Sequence, residues 1–126
     1  MERRKILIVD DDPDLRRGLN VRLRANNYDT TFATDGLSAI SVARKEKPDL
    51  IILDLGLPAG DGFTVIERLK AIAPLSVVPI IVVSARDPRI SSDRALKAGA
   101  ETFLQKPVDN GELLAAIRRA FGESSE

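Results

Sequence analysis

Three short, uninterrupted apolar runs constrain the fold of this 126-residue chain more strongly than any other feature. They occupy residues 6–9, 50–53 and 80–83. A strand that is buried on one face alternates apolar and polar side chains, whereas a strand covered on both faces is apolar throughout. The runs therefore predict strands inside a sheet that is covered on both sides. Residues 28–33 and 102–104 are weaker strand candidates.

Segments with helical periodicity separate these runs. Aspartate–proline pairs at residues 12–13 and 87–88, and Asp109 with Glu112, provide capping side chains at three expected helix starts. A fourth helix, with weak periodicity, is predicted at about residues 88–98. The apolar stripes of the other helices are Leu15, Leu19 and Leu23; Leu37, Ile40 and Ala43; Ile66, Leu69 and Ala73; and Leu113, Ile117 and Phe121.

Strands and helices thus alternate in five successive units. Such alternation predicts a doubly wound α/β fold, with a mostly parallel sheet, right-handed crossovers and helices on both faces. The length suits one domain, and no linker or internal repeat interrupts the pattern. We therefore predict a single domain over residues 1–126, with no output domain.

The composition excludes several classes of function. The chain has no His and no Cys, so zinc, copper and haem sites, thiol chemistry and imidazole catalysis are excluded, and any metal should be a hard ion such as Mg²⁺. Nineteen basic and nineteen acidic residues cancel, and there is one Tyr and no Trp, which predicts no direct binding to nucleic acid.

No segment approaches membrane-spanning length, which predicts no membrane association, and the absence of Cys suits the cytoplasm. The arginine pairs at residues 3–4, 16–17 and 118–119 are predicted to be solvated.

Polar side chains stand where the chain leaves each predicted strand. Because the carboxyl ends of parallel strands meet at one edge of a sheet, these side chains should lie together. Clustered carboxylates repel one another unless a cation lies among them, so the group indicates half of a divalent-metal site. Lys106 could neutralise Asp54 in the empty site and bind a phosphoryl oxygen in the loaded one. Asp12 is assigned to the helix cap. The residues at the strand ends are Asp10, Asp11 and Asp12; Asp54; Ser84; and Lys106.

Four motifs in these regions resemble one known family. They are VDDDP at 9–13, DLGLPAGDG at 54–62, VVSAR at 82–86 and AGAETFLQKP at 98–107. In this order and at these intervals they are similar to the receiver domain of bacterial two-component response regulators, of the chemotaxis-regulator type. The resemblance covers nearly the whole chain. It implies a flavodoxin-like (βα)5 fold with a five-stranded parallel sheet in the strand order 2-1-3-4-5.

The resemblance implies a phosphorylation site at the strand ends. By this resemblance, Asp54 is the phosphoacceptor, and Ser84 and Lys106 contact the phosphoryl group. Phosphoryl transfer needs mainly positioning and charge stabilisation, which a carboxylate nucleophile, a metal and a lysine provide. The implied ligands of the Mg²⁺ cofactor are Asp10, Asp11, Asp54 and the backbone carbonyl of Gly56.

The same resemblance implies a switch and a set of partners. Ser84 moves toward the phosphoryl group, Phe103 turns inward, and the face of the fourth helix, fifth strand and fifth helix changes shape. The bond before Pro107 is expected to be cis. Because the chain has no His, the phosphoryl group must come from a sensor histidine kinase, a histidine phosphotransfer protein or a small phosphodonor. A downstream protein partner or a missing output domain reads the signal. No enzymatic activity is predicted beyond autocatalytic phosphoryl transfer and autodephosphorylation.

Two other classes of protein compete with this interpretation. Phosphatases of the haloacid-dehalogenase class also use an Asp nucleophile, Mg²⁺, a hydroxyl and a Lys, but need a second Asp where this chain has Gly56. A pseudo-receiver keeps the fold without phosphorylation and usually lacks an acidic ligand or the lysine, and none is missing here. Phe103 replaces the commoner Tyr, and Ser84 the commoner Thr. The resemblance implies that the positions of Gly56 and Arg86 influence phosphoryl lifetime. Gly56 would leave the phosphorylation site less shielded and Arg86 would guard it, so the sequence leaves the lifetime open.

Overall fold

The computed structural model describes residues 3–58 and 61–123. The strands are β1 (Lys5–Val9), β2 (Asp29–Ala33), β3 (Leu50–Leu53), β4 (Ile80–Ser84) and β5 (Thr102–Gln105). The helices are α1 (Pro13–Ala25), α2 (Gly36–Glu46), α3 (Gly62–Lys70), α4 (Pro88–Ala98) and α5 (Asn110–Ala120), with a short 3-10 helix at Leu75–Val77. All neighbouring strands pair in parallel, in the order β2-β1-β3-β4-β5. The predicted fold class is confirmed. In the described ranges, no helix is both long and apolar enough to cross a bilayer.

The central strands are buried on both faces. Successive residues of a strand point to opposite sides, and in β1 the side chains of Leu7 and Val9 pack with α2, α3 and α4, whereas Ile6 and Ile8 pack with α1 and α5. All four side chains are fully buried. Each such burial contributes about 1.5–3 kcal/mol. Coverage of both faces is therefore the physical reason that the apolar runs are uninterrupted.

Aspartate side chains fix the starts of three helices just beyond the strand ends. The Asp12 carboxylate accepts hydrogen bonds from the backbone N–H groups of Asp14 at 2.9 Å and Leu15 at 3.4 Å. Asp87 and Asp109 cap α4 and α5 in the same way, at 3.0 and 2.9 Å. Each cap contributes about 1 kcal/mol. These caps make short, defined connections at the edge of the sheet where the predicted site lies.

Two of the predicted helical stripes are wrong in part. Leu37 is 65% exposed, and α3 ends at Lys70, so Ala73 lies outside it in an exposed segment. The apolar spacing placed Ala73 in the stripe of α3 because apolar residues continue beyond the end of the helix. In α2, small residues let the helix approach the sheet and rotate Leu37 outward; its buried residues are Gly36, Ala39, Ile40 and Ala43.

Gly62, the first residue of α3, packs closely against the chain just after β3. A Cβ at this position would lie 2.6 Å from Leu55 Cα and 2.8 Å from the Leu55 carbonyl oxygen. We expect Gly62→Ala to lower the free energy of unfolding by about 1–3 kcal/mol, because backbone atoms must move. A Cβ at Gly18, within α1, would meet nothing within 4 Å. Gly18→Ala is thus the matched control and should raise that free energy by about 0.5–1 kcal/mol in urea unfolding. Equal effects of the two changes would contradict this account.

Candidate functional site

The site is built at the carboxyl ends of β1 and β3, which lie side by side in the centre of the sheet. Val9 pairs in register with Leu53, so Asp10 and Asp54 leave the two strands at the same level. The backbone N–H of Asp54 donates to the Val9 carbonyl at 3.0 Å, and that of Asp10 donates to the Ala33 carbonyl at 3.2 Å. Backbone pairing therefore fixes both aspartates without any contribution from their side chains.

Three carboxylates meet at this edge. One oxygen atom from each of Asp10, Asp11 and Asp54 lies within 4.8 Å of the other two. Asp10 is only 3% exposed, Asp54 is partly buried and Asp11 is exposed. Burial raises the pKa of Asp10 by more than its hydrogen bonds from the Asp12 N–H and from Lys106 lower it. The cluster thus concentrates negative charge, part of it away from water.

Lys106 supplies the cation of the cluster. Its Nζ lies 3.0 Å from Asp10 Oδ2 and 3.4 Å from Asp54 Oδ2. Burial by itself lowers the pKa of Lys106, but the hydrogen bond to Asp10 and the charges of Asp10 and Asp54 together raise it above its ordinary value. The backbone N–H of Lys106 donates to the Ser84 carbonyl at 2.8 Å, and the Lys106–Pro107 bond is cis. Lys106 is thus held against β4 while its ammonium group contacts both carboxylates.

The other residues singled out in the sequence surround this cluster. Ser84 is 1% exposed, and its Oγ accepts a hydrogen bond from the Arg86 N–H at 3.2 Å. Gly56 is exposed, and its N–H donates to Asp54 Oδ1 at 3.3 Å. Phe103 is half-buried in β5 and packs against the apolar cluster under α2, α3 and α4. Lys106 therefore contacts Asp10 and Asp54, and Asp11 completes the carboxylate cluster without contacting the lysine, whereas Phe103 packs against the apolar cluster instead.

Arg16 adjoins the site in a way that the sequence did not indicate. It is partly buried, contrary to the prediction of a solvated side chain, and its Nη1 donates to the Asp10 carbonyl at 2.8 Å. Its place in the first turns of α1 was predictable, but the direction of its side chain was not. Arg4, far from the site, is exposed as predicted, although its guanidinium also lies 4.1 Å from the centre of the Phe121 ring.

Arg86, two residues after Ser84, contacts the segment after β3. Its Nη2 donates to the Leu55 carbonyl at 3.4 Å, and its guanidinium carbon lies 5.7 Å from the centre of the Phe63 ring. Arg94 of α4 contacts the same ring, with its guanidinium carbon 4.0 Å from the ring centre. Both arginines therefore connect the β4–α4 region to the start of α3.

The charges and donor atoms of the site indicate what it can bind. The three carboxylates carry three negative charges when ionised, and Lys106 offsets one of them. Within residues 3–58 and 61–123, the Asp11 carboxylate makes no hydrogen bond or ion pair. Because the available side-chain donors are carboxylate oxygens, the set fits a hard divalent cation such as Mg²⁺.

The fold and the acidic cluster at the carboxyl edge of the sheet define a doubly wound α/β module with a candidate site for a divalent cation. The sequence profile of the response regulator receiver domain matches residues 6–118. The chain therefore belongs to the response regulator receiver domain family, whose members act as phosphoacceptors in two-component signalling. This assignment sets aside the phosphatase alternative.

Individual relatives agree with the family assignment. The response regulator PleD of Caulobacter vibrioides is 38% identical over 114 residues, which are 90% of this chain and 25% of PleD. The DNA-binding response regulator MtrA of Mycolicibacterium smegmatis is 38% identical over 116 residues, which are 92% of this chain and 50% of MtrA. The chain thus spans between a quarter and a half of the length of these two relatives.

Solved structures show the same architecture. A putative response regulator from Chloroflexus aurantiacus superimposes with a TM-score of 0.91 at 29% identity, covering 96% of this chain and 99% of that one. The receiver domain of sensor histidine kinase PA1611 from Pseudomonas aeruginosa superimposes with a TM-score of 0.87 at 30% identity, with the same coverage. That structure has a magnesium ion coordinated in its active-site cleft.

Proposed function

We propose that Asp54 accepts a phosphoryl group from a phosphohistidine of a sensor histidine kinase or a histidine phosphotransfer protein. The observation that carries this proposal is the contact of the Asp54 carboxylate with Lys106 Nζ at 3.4 Å, inside the cluster of three carboxylates. A carboxylate oxygen of Asp54 attacks phosphorus, the phosphorus–nitrogen bond breaks, the imidazole leaves, and an acyl phosphate forms. Residues 1–126 contain no His, so the donor histidine lies outside them.

Differences among the three carboxylates favour Asp54 as the nucleophile. Asp10 is 3% exposed, and its two oxygens accept hydrogen bonds of 2.9 Å from the Asp12 N–H and 3.0 Å from Lys106, whereas those to Asp54 are longer, at 3.3 and 3.4 Å. Asp11 is exposed and has no contact with the lysine within the described ranges. Asp54 combines contact with the lysine and access from solvent, which attack on an incoming phosphoryl group requires.

The acidic cluster supports Mg²⁺ as the cofactor. We propose that the carboxylates of Asp10, Asp11 and Asp54, together with the Gly56 carbonyl, hold the ion. When bound, Mg²⁺ neutralises charge between the nucleophile and the phosphoryl oxygens. Lys106 and Ser84 complete the set by donating hydrogen bonds to those oxygens.

Signal output is proposed to follow from Ser84 and Phe103. Ser84 ends β4, and Phe103 lies in β5, paired in register with Val82 of β4. Movement of the Ser84 side chain would free space next to this strand pair, and Phe103 is proposed to fill it. The face formed by α4, β5 and α5 then binds a downstream protein or an output domain. We propose residues 1–126 as one receiver domain that acts in the cytoplasm, with no enzymatic activity beyond its own phosphorylation and dephosphorylation.

Incubation with acetyl phosphate and Mg²⁺ tests the proposed chemistry. We expect a mass increase of one phosphoryl group, lost on treatment with hydroxylamine or at extremes of pH, because an acyl phosphate is labile. The same incubation with EDTA should give no adduct, since the acidic cluster would then lack its neutralising ion. An adduct that forms equally well without Mg²⁺ would contradict the proposal.

A groove next to Lys106 supports docking of the phosphodonor there. It has a volume of about 540 Å³ and lies between α1 and the segment that follows β5. Gly18 lines it, and a Cβ at Gly18 would meet nothing within 4 Å. The apolar part of its lining comes from Leu15, Leu19, Ala85, Pro107 and Val108.

A bulky side chain in this groove should slow phosphoryl transfer from a protein donor but not from a small phosphodonor. The protein donor is a kinase or phosphotransfer protein that phosphorylates the wild type. With this donor, we expect Gly18→Trp to slow phosphorylation by about tenfold or more, because the bulky ring occupies the docking surface. Phosphorylation by acetyl phosphate should stay at the wild-type rate, and Gly18→Ala should leave both rates unchanged. Equal slowing with both donors would argue against docking in the groove.

A further inference from the structure

A second groove lies at the opposite end of the sheet from Asp54. It has a volume of about 480 Å³ and lies between the C-terminal end of α2 and the segment that joins α3 to β4. Ile72, Leu75 and Val78 contribute apolar side chains to it, and Arg44 and Lys47 stand beside them. The phosphorylation chemistry uses none of these residues.

The segment from residue 71 to 79 is unusually apolar for a surface connection. Its sequence, AIAPLSVVP, has no charged residue and a single polar one, Ser76. Ala73 and Pro74 are exposed, and Val77 is 82% exposed. Ala73 and Pro74 line the groove, whereas Leu75 is only 4% exposed and Val77 is not among the lining residues. An exposed apolar edge on a groove is typical of a binding surface.

The cations beside this groove are available for a partner. Within residues 3–58 and 61–123, the side chains of Arg44 and Lys47 make no ion pair or hydrogen bond. The two nearest acidic residues in sequence are already engaged: Glu46 Oε1 lies 3.2 Å from Lys5 Nζ, and Asp49 accepts a hydrogen bond from the Lys5 N–H at 2.8 Å. In the described residues, therefore, no ion pair neutralises Arg44 or Lys47.

From this combination we infer that the groove binds an acidic, aliphatic segment of a partner protein. Leu or Ile side chains of the segment would fill the apolar floor, and its Glu or Asp side chains would pair with Arg44 and Lys47. Nucleic acid fits less well because none of the described residues that line the groove is aromatic, so bases have nothing to stack on. An anionic membrane fits less well because the surface is concave and two cations contribute only about 1 kcal/mol each. Docking here leaves the Asp54 edge open, so a partner can stay bound in both phosphorylation states.

The test uses a short synthetic peptide with Leu on one helical face and Glu on its flanks, titrated into the ¹⁵N-labelled chain. We expect saturable amide shifts concentrated in residues 43–48 and 72–78. A matched peptide with Gln for every Glu should bind more weakly. Arg44→Glu combined with Lys47→Glu should weaken binding by about tenfold or more, because two attractive charges become repulsive.

Lys45→Glu is the matched control, since Lys45 lies between the two cations in sequence, is exposed and does not line the groove. It should change the dissociation constant less than about twofold. Asp54→Asn should also leave binding unchanged, which makes the result independent of the proposed phosphorylation. Absence of saturable shifts, shifts at the acidic edge instead, or an equal loss with Lys45→Glu would overturn the inference. So would binding of phosphatidylserine vesicles, but not of the peptide, that depends on Arg44 and Lys47.

Discussion

Replacement of Asp54 by asparagine should abolish the phosphoryl adduct and leave the fold intact. An amide oxygen is a poor nucleophile, and neither of the other two carboxylates combines the exposure of Asp54 with its contact to Lys106. The fold should survive because Asn has the same shape and can still accept the hydrogen bond from the Gly56 N–H, which is 3.3 Å long in the wild type. We expect the free energy of unfolding to change by less than about 1 kcal/mol. Intact mass after incubation with acetyl phosphate and Mg²⁺ measures the adduct.

Asp12→Asn is the control for this experiment. Asp12 adjoins the cluster in sequence, but its carboxylate caps α1, and asparagine caps a helix as well as aspartate does. This variant should acquire the adduct at close to the wild-type rate. Persistence of the adduct in Asp54→Asn, or its loss in both variants, would show that Asp54 is not the nucleophile.

The fold was predictable from the sequence because burial determines the residue pattern of whole segments. Strands buried on both faces need continuous apolar runs, and β1, β3 and β4 have them. The edge strand β2 is only half-buried along most of its length, which is why its pattern was weak. The errors at Leu37 and Ala73 arose where apolar spacing alone does not define which side chains point inward. Small residues set the rotation of α2, and the end of α3 is not marked by a change in hydrophobicity.

The sequence predicted which residues lie at the carboxyl edge of the sheet, but not which of them are in contact. Strand ends brought Asp10, Asp54 and Lys106 together, because parallel topology fixes where each strand finishes. The sequence suggested that Lys106 neutralises Asp54, whereas its shorter contact is to Asp10. Neither this preference nor the bond from Arg16 to the Asp10 carbonyl follows from spacing. The contacts of a long side chain depend on how the surrounding elements pack. Its direction is therefore seen only in the three-dimensional structure.

The position of Lys106 between two carboxylates leads to opposite expected effects on catalysis and metal binding. Lys106→Met should slow phosphorylation by acetyl phosphate by about 10²-fold, the usual loss when one preorganised donor to a developing charge is removed. The same change should strengthen Mg²⁺ binding, because the ammonium group at 3.0 Å from Asp10 and 3.4 Å from Asp54 no longer competes for these carboxylates. A charge at contact distance in water contributes about 1 kcal/mol, which corresponds to a gain of about fivefold in affinity. Isothermal titration with Mg²⁺ and single-turnover phosphorylation measure the two effects separately.

Lys106→Arg provides the matched control, because arginine keeps the positive charge but presents it in a different geometry. We expect Mg²⁺ affinity close to that of the wild type and a slow phosphorylation rate.

Thermal unfolding adds an independent readout. Without metal, Lys106→Met should be less stable than Lys106→Arg, since Asp10 is only 3% exposed and loses its cation. Added Mg²⁺ should therefore raise the melting temperature of the methionine variant more than that of the arginine variant. Weaker Mg²⁺ binding in Lys106→Met would mean that Lys106 organises the carboxylates for the metal instead of competing with it.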